Sequence, residues 1–315
     1  MRYILLAFVV ACAPAEQAPG TEAAAETAPT DASAEATSLL GQPLMRPEIP
    51  AARSDTLEMQ LAEARTVLEA NRDDADAHIW VGRRLAYLGR YREAIDVFTD
   101  GIARHAADAR LYRHRGHRYI TIREFDNAIA DLQKAAELIR GKPDEVEPDG
   151  QPNAAGIPTS TLQSNIWYHL ALANYLKHDF ESALPAWLEG MTVSNNDDMK
   201  VATSDWLYMT YRRLGRDADA AHVLEPIQAD MRILENTAYH RRLLMYKGEI
   251  PPDSLLNVQE ADPVQIATYG YGVGNWYLYN DDRAKAEEIF RRILEGPNWA
   301  AFGFIAAEAE LAAAR

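Results

Sequence analysis

The chain has 315 residues with 47 acidic and 32 basic side chains, a formal charge of −15 and one cysteine, Cys12. A single thiol excludes an internal disulfide framework and any zinc or iron–sulfur site built from several cysteines. The acidic balance argues against nucleic acid as a partner, because sequence-independent phosphate binding needs clustered Lys and Arg. At roughly 100–200 residues per domain, the length has room for about two domains or one long repeat array.

The first eleven residues have the pattern of an export signal. Met1 and Arg2 give a short positive start, and an unbroken apolar run from Tyr3 to Ala11 leads directly to Cys12. At about 1.5 Å per residue this run spans roughly 14 Å as a helix, too short to cross a hydrocarbon core of about 30 Å. The pattern predicts a cleaved signal peptide over residues 1–11.

The residues that end this run, Val9-Val10-Ala11-Cys12, resemble the bacterial lipobox. The resemblance implies that Cys12 is acylated and anchors the protein in a membrane, since stable attachment takes two or more acyl chains. Ala13 directly after the cysteine implies, on the same resemblance, sorting to the outer membrane with the protein on its periplasmic face. An ordinary secretory signal and a soluble periplasmic protein stay open, because Ala11-Cys12-Ala13 also fits a small-residue cleavage pattern.

Residues 12–55 are rich in Ala, Pro, Glu and Thr and predict a disordered tether. Few of these side chains can build a core, and six prolines interrupt any alanine-rich helix. As a flexible coil the segment has an r.m.s. span of roughly 35 Å. Such a tether would hold the folded part of the chain away from a membrane.

From residue 56 onward, helix-length amphipathic segments alternate with short polar turns, and residue types recur at a spacing of 34. The recurring pairs are Gly82/Gly116, Leu85/Tyr119, Tyr91/Phe125, Ala94/Ala128, Ile95/Ile129 and Phe98/Leu132. A period of 34 is typical of tetratricopeptide (TPR) repeats, and the pattern resembles that family. The resemblance implies an all-α fold, a right-handed superhelical solenoid of antiparallel helix pairs, over residues 56–315.

Further repeat units follow with the same residue types. They are expected around Trp167–Gly190, Leu207–Leu224 and Val273–Phe290, with a degenerate pair near 239–258, a leading half-repeat at Leu57–Glu69 and a closing helix at Ala300–Arg315. Pro226 should kink or shorten its helix, whereas Pro185 falls near a first turn that tolerates proline. An insertion at 141–161 separates the second and third units.

The sequence contains no local catalytic motif: no Gly-x-Ser-x-Gly, Walker A, His-Glu-x-x-His or EF-hand pattern. His114 and His117 stand three apart and could ligate a metal, but three neighbouring arginines disfavour a cation there. We therefore expect no metal, no cofactor and no enzymatic activity. Carboxylates that converge from different repeats, Asp205 among them, are the enzymatic alternative.

The candidate site consists of basic and aromatic side chains on the first helix of each repeat. In TPR proteins these helices line the concave surface, and residues spaced by three, four and seven share one helix face. The predicted ligand groove contains Trp80, Arg83, Tyr87, Arg110, Arg113, His114, His117, Tyr168, His169, Tyr175, Trp206, Arg212, Tyr271, Asn275 and Tyr279. Burial between neighbouring repeats is the alternative explanation for each aromatic residue taken alone.

A cluster of cations and aromatics in an acidic chain predicts a groove for an acidic or C-terminal peptide of a partner protein. A cell-wall glycan is the alternative ligand. The insertion carries four carboxylates, Asp144, Glu145, Glu147 and Asp149; it either covers one end of the groove or is a solvated loop, the second being favoured. The sequence thus predicts a lipid-anchored adaptor or scaffold of the bacterial envelope.

Overall fold

A computed structural model describes residues 34–256 and 263–314, with side chains described from 34 to 256 and from 267 to 314. The predicted signal peptide, Cys12 and the first part of the tether lie outside the described residues. All described residues belong to one structural unit. None of the helices in this part of the chain combines the length and the apolar character that crossing a bilayer requires.

The described chain contains a short β-hairpin followed by helices. The strands are β1 (Ala34–Thr37) and β2 (Pro43–Met45), and the helices are α1 (Ala51–Ala70), α2 (Ala75–Tyr87), α3 (Tyr91–Arg104), α4 (Ala109–Thr121), α5 (Phe125–Ile139), α6 (Leu162–Leu176), α7 (Phe180–Val193), α8 (Asp197–Arg213), α9 (Asp217–Leu224), α10 (Thr237–Tyr246), α11 (Pro252–Leu256), α12 (Pro263–Tyr279), α13 (Arg283–Leu294) and α14 (Phe302–Ala313). The two strands pair antiparallel, with an irregularity between Ala34 and Ala36.

Consecutive helices pack in pairs, α2 with α3, α4 with α5, α6 with α7 and α12 with α13, and the first helices of neighbouring pairs touch. Glycine permits the close approach within a pair. A Cβ at Gly82 would lie 2.4 Å from the Phe98 ring, and one at Gly116 would lie 2.8 Å from Leu132. The predicted all-α architecture of TPR-type helix pairs is therefore confirmed, together with the closing helix.

The 34-residue spacing also recurs where helices begin. Asp74 and Asp108 precede α2 and α4, and the side chain of each accepts a hydrogen bond from the backbone N–H two residues later. Such caps satisfy amide groups that the first turn leaves without helical partners. Pro226 has the predicted effect, because α9 is only 8 residues long and ends at Leu224.

The predicted disorder of the tether is wrong for residues 34–55. The β-hairpin occupies its last part, and α1 begins at Ala51. Ala36 and Leu44 are buried, and the Glu35 carboxylate accepts hydrogen bonds from the Arg46 guanidinium (2.8 Å) and the Arg92 backbone N–H (3.1 Å). Contacts with a distant helix, rather than local propensity, stabilise this hairpin.

The C-terminal end of the array packs against its beginning. Helix α14 contacts α12, α13 and α6. Its Glu308 forms a fully buried ion pair of 2.8 Å with Arg123, in the turn between α4 and α5. The indole N–H of Trp299, just before α14, donates to the Met45 carbonyl at 2.7 Å, and its ring contacts Tyr91. The described solenoid is therefore closed upon itself rather than open along its inner face.

Candidate functional site

Closure buries the middle of the predicted groove. His169, Tyr175, Trp206, Tyr271 and Asn275 are each no more than 4% exposed. The expectation that these five side chains lie on an open concave surface is wrong. The physical reason is the packing of α12 and α14 against α6 and α8, which places aromatic and polar groups of the first helices in an interior.

These interior groups bond to one another. The Tyr271 hydroxyl donates to the Tyr175 hydroxyl at 2.8 Å, and the Asn275 amide donates to the same oxygen at 3.0 Å. The Trp206 ring lies 5.1 Å from that of Tyr175 and 5.6 Å from that of Tyr271. Burial raises the pKa of Tyr175 to about 12, so the phenol stays neutral. The arrangement is that of a polar core, in which Tyr175, Tyr271 and Asn275 satisfy one another and Trp206 contributes ring contacts.

Asp205, which the sequence offers as a catalytic carboxylate, is also buried. It forms an ion pair of 2.7 Å with Arg242, and both side chains have no exposed surface. Burial raises the pKa of Asp205 to about 7, although the Arg242 charge opposes this rise. A carboxylate enclosed in this way is not accessible to a substrate.

Two predicted site histidines, His117 and His169, meet Phe302 of α14 between α4 and α6, whereas the third, His114, stacks on the Phe98 ring of α3 at 5.6 Å. The rings of His117 and His169 are 4.3 Å apart, and Phe302 lies 5.3 Å from His117. Burial first, and then the charges of Arg113 and Arg118, hold the pKa of His169 well below its ordinary range. Among the described residues no group of three or more His, Cys, Asp or Glu is placed to hold a metal ion.

A polar cavity of about 260 Å³ lies beside these rings. Its lining includes Tyr168, His169, Tyr239 and Phe302, together with the side chains of Asn165, Thr203 and Glu235. The hydroxyls of Tyr168 and Tyr239 are hydrogen-bonded to each other at 3.0 Å. Tyr239 was missed by the sequence analysis because its degenerate repeat gives no clear register.

Two of the predicted cations form ion pairs with carboxylates outside the predicted site. Arg110 pairs with Asp108 at 2.6 Å and with Asp76 at 2.5 Å. Arg212 pairs with Asp217 at 2.8 Å and lies over the Tyr279 ring at 4.4 Å, at the other end of the array. The structure therefore does not bring the fifteen predicted residues into one continuous groove.

The remaining members form a coherent surface on α2 and α4, which we call the basic face. It consists of Trp80, Arg83, Arg84, Tyr87, Arg113 and His114. The Arg83 guanidinium lies over the Trp80 ring at 4.6 Å and donates to the Tyr87 hydroxyl at 3.2 Å. Helical spacing alone does not place Arg84 in the predicted groove. Arg84 adjoins Arg83 in sequence and reaches the same surface through its long side chain.

The insertion lies on the basic face. Glu147 places a carboxylate oxygen 3.0 Å from Arg113 Nε and the other 3.7 Å from His114 Nε2. Arg83 donates to the Pro148 carbonyl at 2.8 Å, and Arg84 donates to the Gly150 carbonyl at 3.3 Å. The favoured interpretation of the insertion as a solvated loop is thus wrong, and the alternative, that it covers part of the groove, describes the structure.

The insertion is also held at its base. Val146 forms an isolated antiparallel bridge with Thr161, and the Leu162 backbone N–H donates to the Glu145 carbonyl at 2.9 Å. The Asn165 amide donates to the Glu147 carboxylate at 3.1 Å. A cavity of about 160 Å³ remains between the loop and the face, lined by Trp80 among others.

Charge on the basic face is unbalanced. Within the described part of the chain, Glu147 is the one carboxylate in an ion pair with Arg83, Arg84 or Arg113. Burial lowers the pKa of Arg113, whereas the charge of Glu147 raises it. Nearby Arg118 has a ring contact with Tyr91 at 5.5 Å, and burial lowers its pKa to about 10. The surface therefore favours negatively charged groups.

Comparison with protein-family models finds no match, and comparison with curated proteins finds none either. Solved structures with similar folds include YrrB, described as a TPR protein with an unusual peptide-binding site (16% identity, 74% of this chain and 91% of that chain covered, TM-score 0.42). They also include MamA (13% identity, 64% and 99% covered, TM-score 0.43). A third is the Cut9–Hcn1 hetero-tetramer of APC/C (14% identity, 77% and 43% covered, TM-score 0.48). At these identities and TM-scores, no ligand or partner is transferred to this chain.

Proposed function

We propose that this protein is an interaction scaffold of the bacterial cell envelope, which binds a segment of a partner protein on the basic face of α2 and α4. The observation that carries this proposal is the excess of guanidinium and aromatic groups there, in a chain whose formal charge is −15. Arg pairs with carboxylates in a bidentate, directional manner, and Arg, Trp and Tyr dominate binding hot spots.

The supporting helices make this surface preorganised. Arg83 and Arg84 are on α2, Arg113 is on α4, and the two helices pack against each other. Residues fixed on packed helices lose less conformational freedom on binding than residues of a mobile loop. The mechanism is reversible binding, with no covalent step.

Site-specific photo-crosslinking in cells tests the proposal. A photo-reactive amino acid at Trp80 should form an adduct with a second protein, whereas the same group at the exposed Val67 of α1 should not. Combining the Trp80 probe with R83A and R84A should abolish the adduct, because partner carboxylates lose their guanidinium contacts. Absence of any adduct from position 80 would contradict the proposed site.

We also propose that acylated Cys12 anchors the protein on the periplasmic face of the outer membrane. The support is the lipobox-like sequence Val9-Val10-Ala11-Cys12 alone. Replacing the thiol in C12S removes the acylation site, so the variant should leave the membrane fraction. Persistence of C12S in that fraction would disprove the lipid anchor while leaving the basic face untouched.

A second candidate function is glycan binding, favoured by the cavity beside Tyr168 and Tyr239. Its lining combines aromatic rings with the polar groups of Asn165, Thr203 and Glu235, a mixture that suits the faces and hydroxyls of a sugar. Retention on purified peptidoglycan that falls in Y239A, but not in R113A, would support this function. Equal retention of both variants and the wild type would argue against this cavity.

A further inference from the structure

The insertion contacts the basic face as a bound peptide contacts its receptor. Residues 147–150, Glu-Pro-Asp-Gly, present one carboxylate and two backbone carbonyls to three guanidinium groups. The Glu147 side chain is only 11% exposed, as is expected of an anchoring residue rather than of a solvated one. A loop that merely linked α5 to α6 would not need these contacts.

We propose that residues 147–150 are an intramolecular occupant of the basic face, and that a partner segment of the same chemistry displaces them. This inference rests on the proposed function and adds the chemistry of the partner. The partner segment is an extended peptide with a glutamate followed by proline and, three positions after the glutamate, by glycine.

Each feature of this peptide corresponds to a contact. The glutamate carboxylate forms an ion pair with Arg113, the only cation of the basic face that has a carboxylate partner in the described residues. The carbonyl of the residue after the glutamate, Pro148 in the loop, accepts a hydrogen bond from Arg83. The carbonyl three positions after the glutamate, that of Gly150, accepts one from Arg84. The last position favours glycine, because a Cβ at Gly150 would lie 2.0 Å from the Tyr87 hydroxyl oxygen and 2.8 Å from Arg83 Nη2, and would displace the ends of both side chains.

Proline in the second position suits this arrangement. Pro148 uses only its carbonyl oxygen, which accepts from Arg83, and its ring has no N–H that would be buried without a partner. The residue before a proline is restricted to extended conformations, which reduces the entropy that Glu147 loses on binding. A peptide with this sequence is therefore partly preorganised.

Covalent attachment gives the loop an advantage over a separate peptide. A segment tethered beside its site has an effective concentration of the order of millimolar, so a free peptide of equal affinity competes only at about millimolar concentration or above. A partner must present additional contacts or a high local concentration. The occupied face thus selects against weak, incidental acidic ligands.

The test uses the capped peptide Glu-Val-Glu-Pro-Asp-Gly-Gln, which has the sequence of residues 145–151, with binding measured by fluorescence anisotropy. The receptor is the chain in which residues 147–150 are replaced by Gly-Ser-Gly-Ser, which keeps the length of the loop and the bridge at Val146. We expect this receptor to bind the peptide at least about tenfold more tightly than the wild type does. R113A in the same receptor, or Gln in place of the peptide's second glutamate, should weaken binding by about tenfold or more.

A folded receptor that does not bind the peptide at millimolar concentration would overturn the inference, and so would binding that R113A leaves unchanged. If the receptor binds the wild-type protein but not the peptide, the site belongs to a second copy of this chain and the inference is also wrong. If the loop replacement prevents folding, E147Q in the intact loop should bind the peptide more tightly than the wild type, and equal binding would contradict the proposal. If the probe at position 80 still forms an adduct with a second protein in any of these cases, the proposed function remains supported although the inference about the loop is wrong.

Discussion

Asp205 is a carboxylate in a fully buried position, balanced by the guanidinium of Arg242. Replacing Arg242 by methionine keeps much of the side-chain volume but leaves Asp205 without its counter-charge. Removing one partner of a buried ion pair typically costs about 3–5 kcal/mol, because the remaining charge stays desolvated. We expect R242M to lose about this much free energy of unfolding, measured by denaturant titration.

The matched control removes both charges. The double variant D205L/R242M should recover most of the loss, since replacing a whole buried pair by apolar groups is often neutral. A single variant within about 1 kcal/mol of the wild type would show that the pair is not enclosed as described.

Buried His169 makes the free energy of unfolding depend on pH. Its pKa in the folded protein lies well below the ordinary value because of burial and the Arg113 charge, so the folded state keeps it neutral. Below pH 6.5 or so the unfolded chain binds a proton that the folded chain does not, and stability falls as the pH decreases. One such histidine contributes a slope of up to about 1.4 kcal/mol per pH unit.

The variant H169Q removes this titration. Its free energy of unfolding should depend less steeply on pH between 5 and 7 than that of the wild type, by about one proton. Asp205, whose raised pKa of about 7 makes the folded state gain stability on acidification, is present in both proteins and cancels in the comparison. Identical slopes would contradict the burial of His169.

Among the elements, α14 closes the array through a close contact with α12. A Cβ added at Gly303 would lie 2.3 Å from the Ala267 carbonyl oxygen, a backbone atom that cannot move without shifting α12. Overpacking of this kind costs typically 1–3 kcal/mol. We expect G303A to be destabilised by about this amount in thermal or denaturant unfolding.

Gly190 in α7 offers the control for this prediction. A Cβ there would meet Thr203 at an ordinary 3.4 Å. Because alanine favours a helix over glycine by up to about 1 kcal/mol, G190A should be neutral or stabilising. Equal effects of G303A and G190A would argue against close packing of α14 on α12.

The helix pairs could be predicted from the sequence, whereas their closure could not. The pairing of Gly82 with Phe98 recurs at a fixed spacing, so local periodicity reveals it. The hairpin of β1 and β2 depends instead on a contact between Glu35 and the backbone of Arg92, which no local pattern encodes. The same holds for the ion pair of Arg123 with Glu308, which are 185 residues apart.

The candidate site was predicted in part, for a related reason. Arg83, Arg113 and His114 were recognised because they are basic residue types at helical spacing in an acidic chain. The occupant of the site was not recognised, since the position of a loop of about twenty residues follows from tertiary contacts rather than from composition. Side chains such as Tyr175 and Tyr271 have the same spacing, but closure of the array makes them core residues.

At the scale of the whole molecule, closure and the insertion act on different parts of the predicted groove. Helices α12 and α14 fill its middle, where Tyr175 and Trp206 are buried, and the insertion covers its first part on α2 and α4. Ligand access therefore depends on the insertion rather than on the interior. We infer that the basic face is a recognition surface which the chain's own acidic loop occupies.

Hydrogen–deuterium exchange of residues 145–151 in the intact protein tests whether the loop leaves this surface when a peptide binds. An isotopically heavy form of the capped peptide is added at about 5 mM, in the range where a free peptide competes with a tethered one. We expect exchange of the protein's own 145–151 segment to increase when the peptide binds, and R113A to reduce binding of the peptide. Exchange that stays unchanged at this peptide concentration would show that the loop is not an occupant that the peptide displaces.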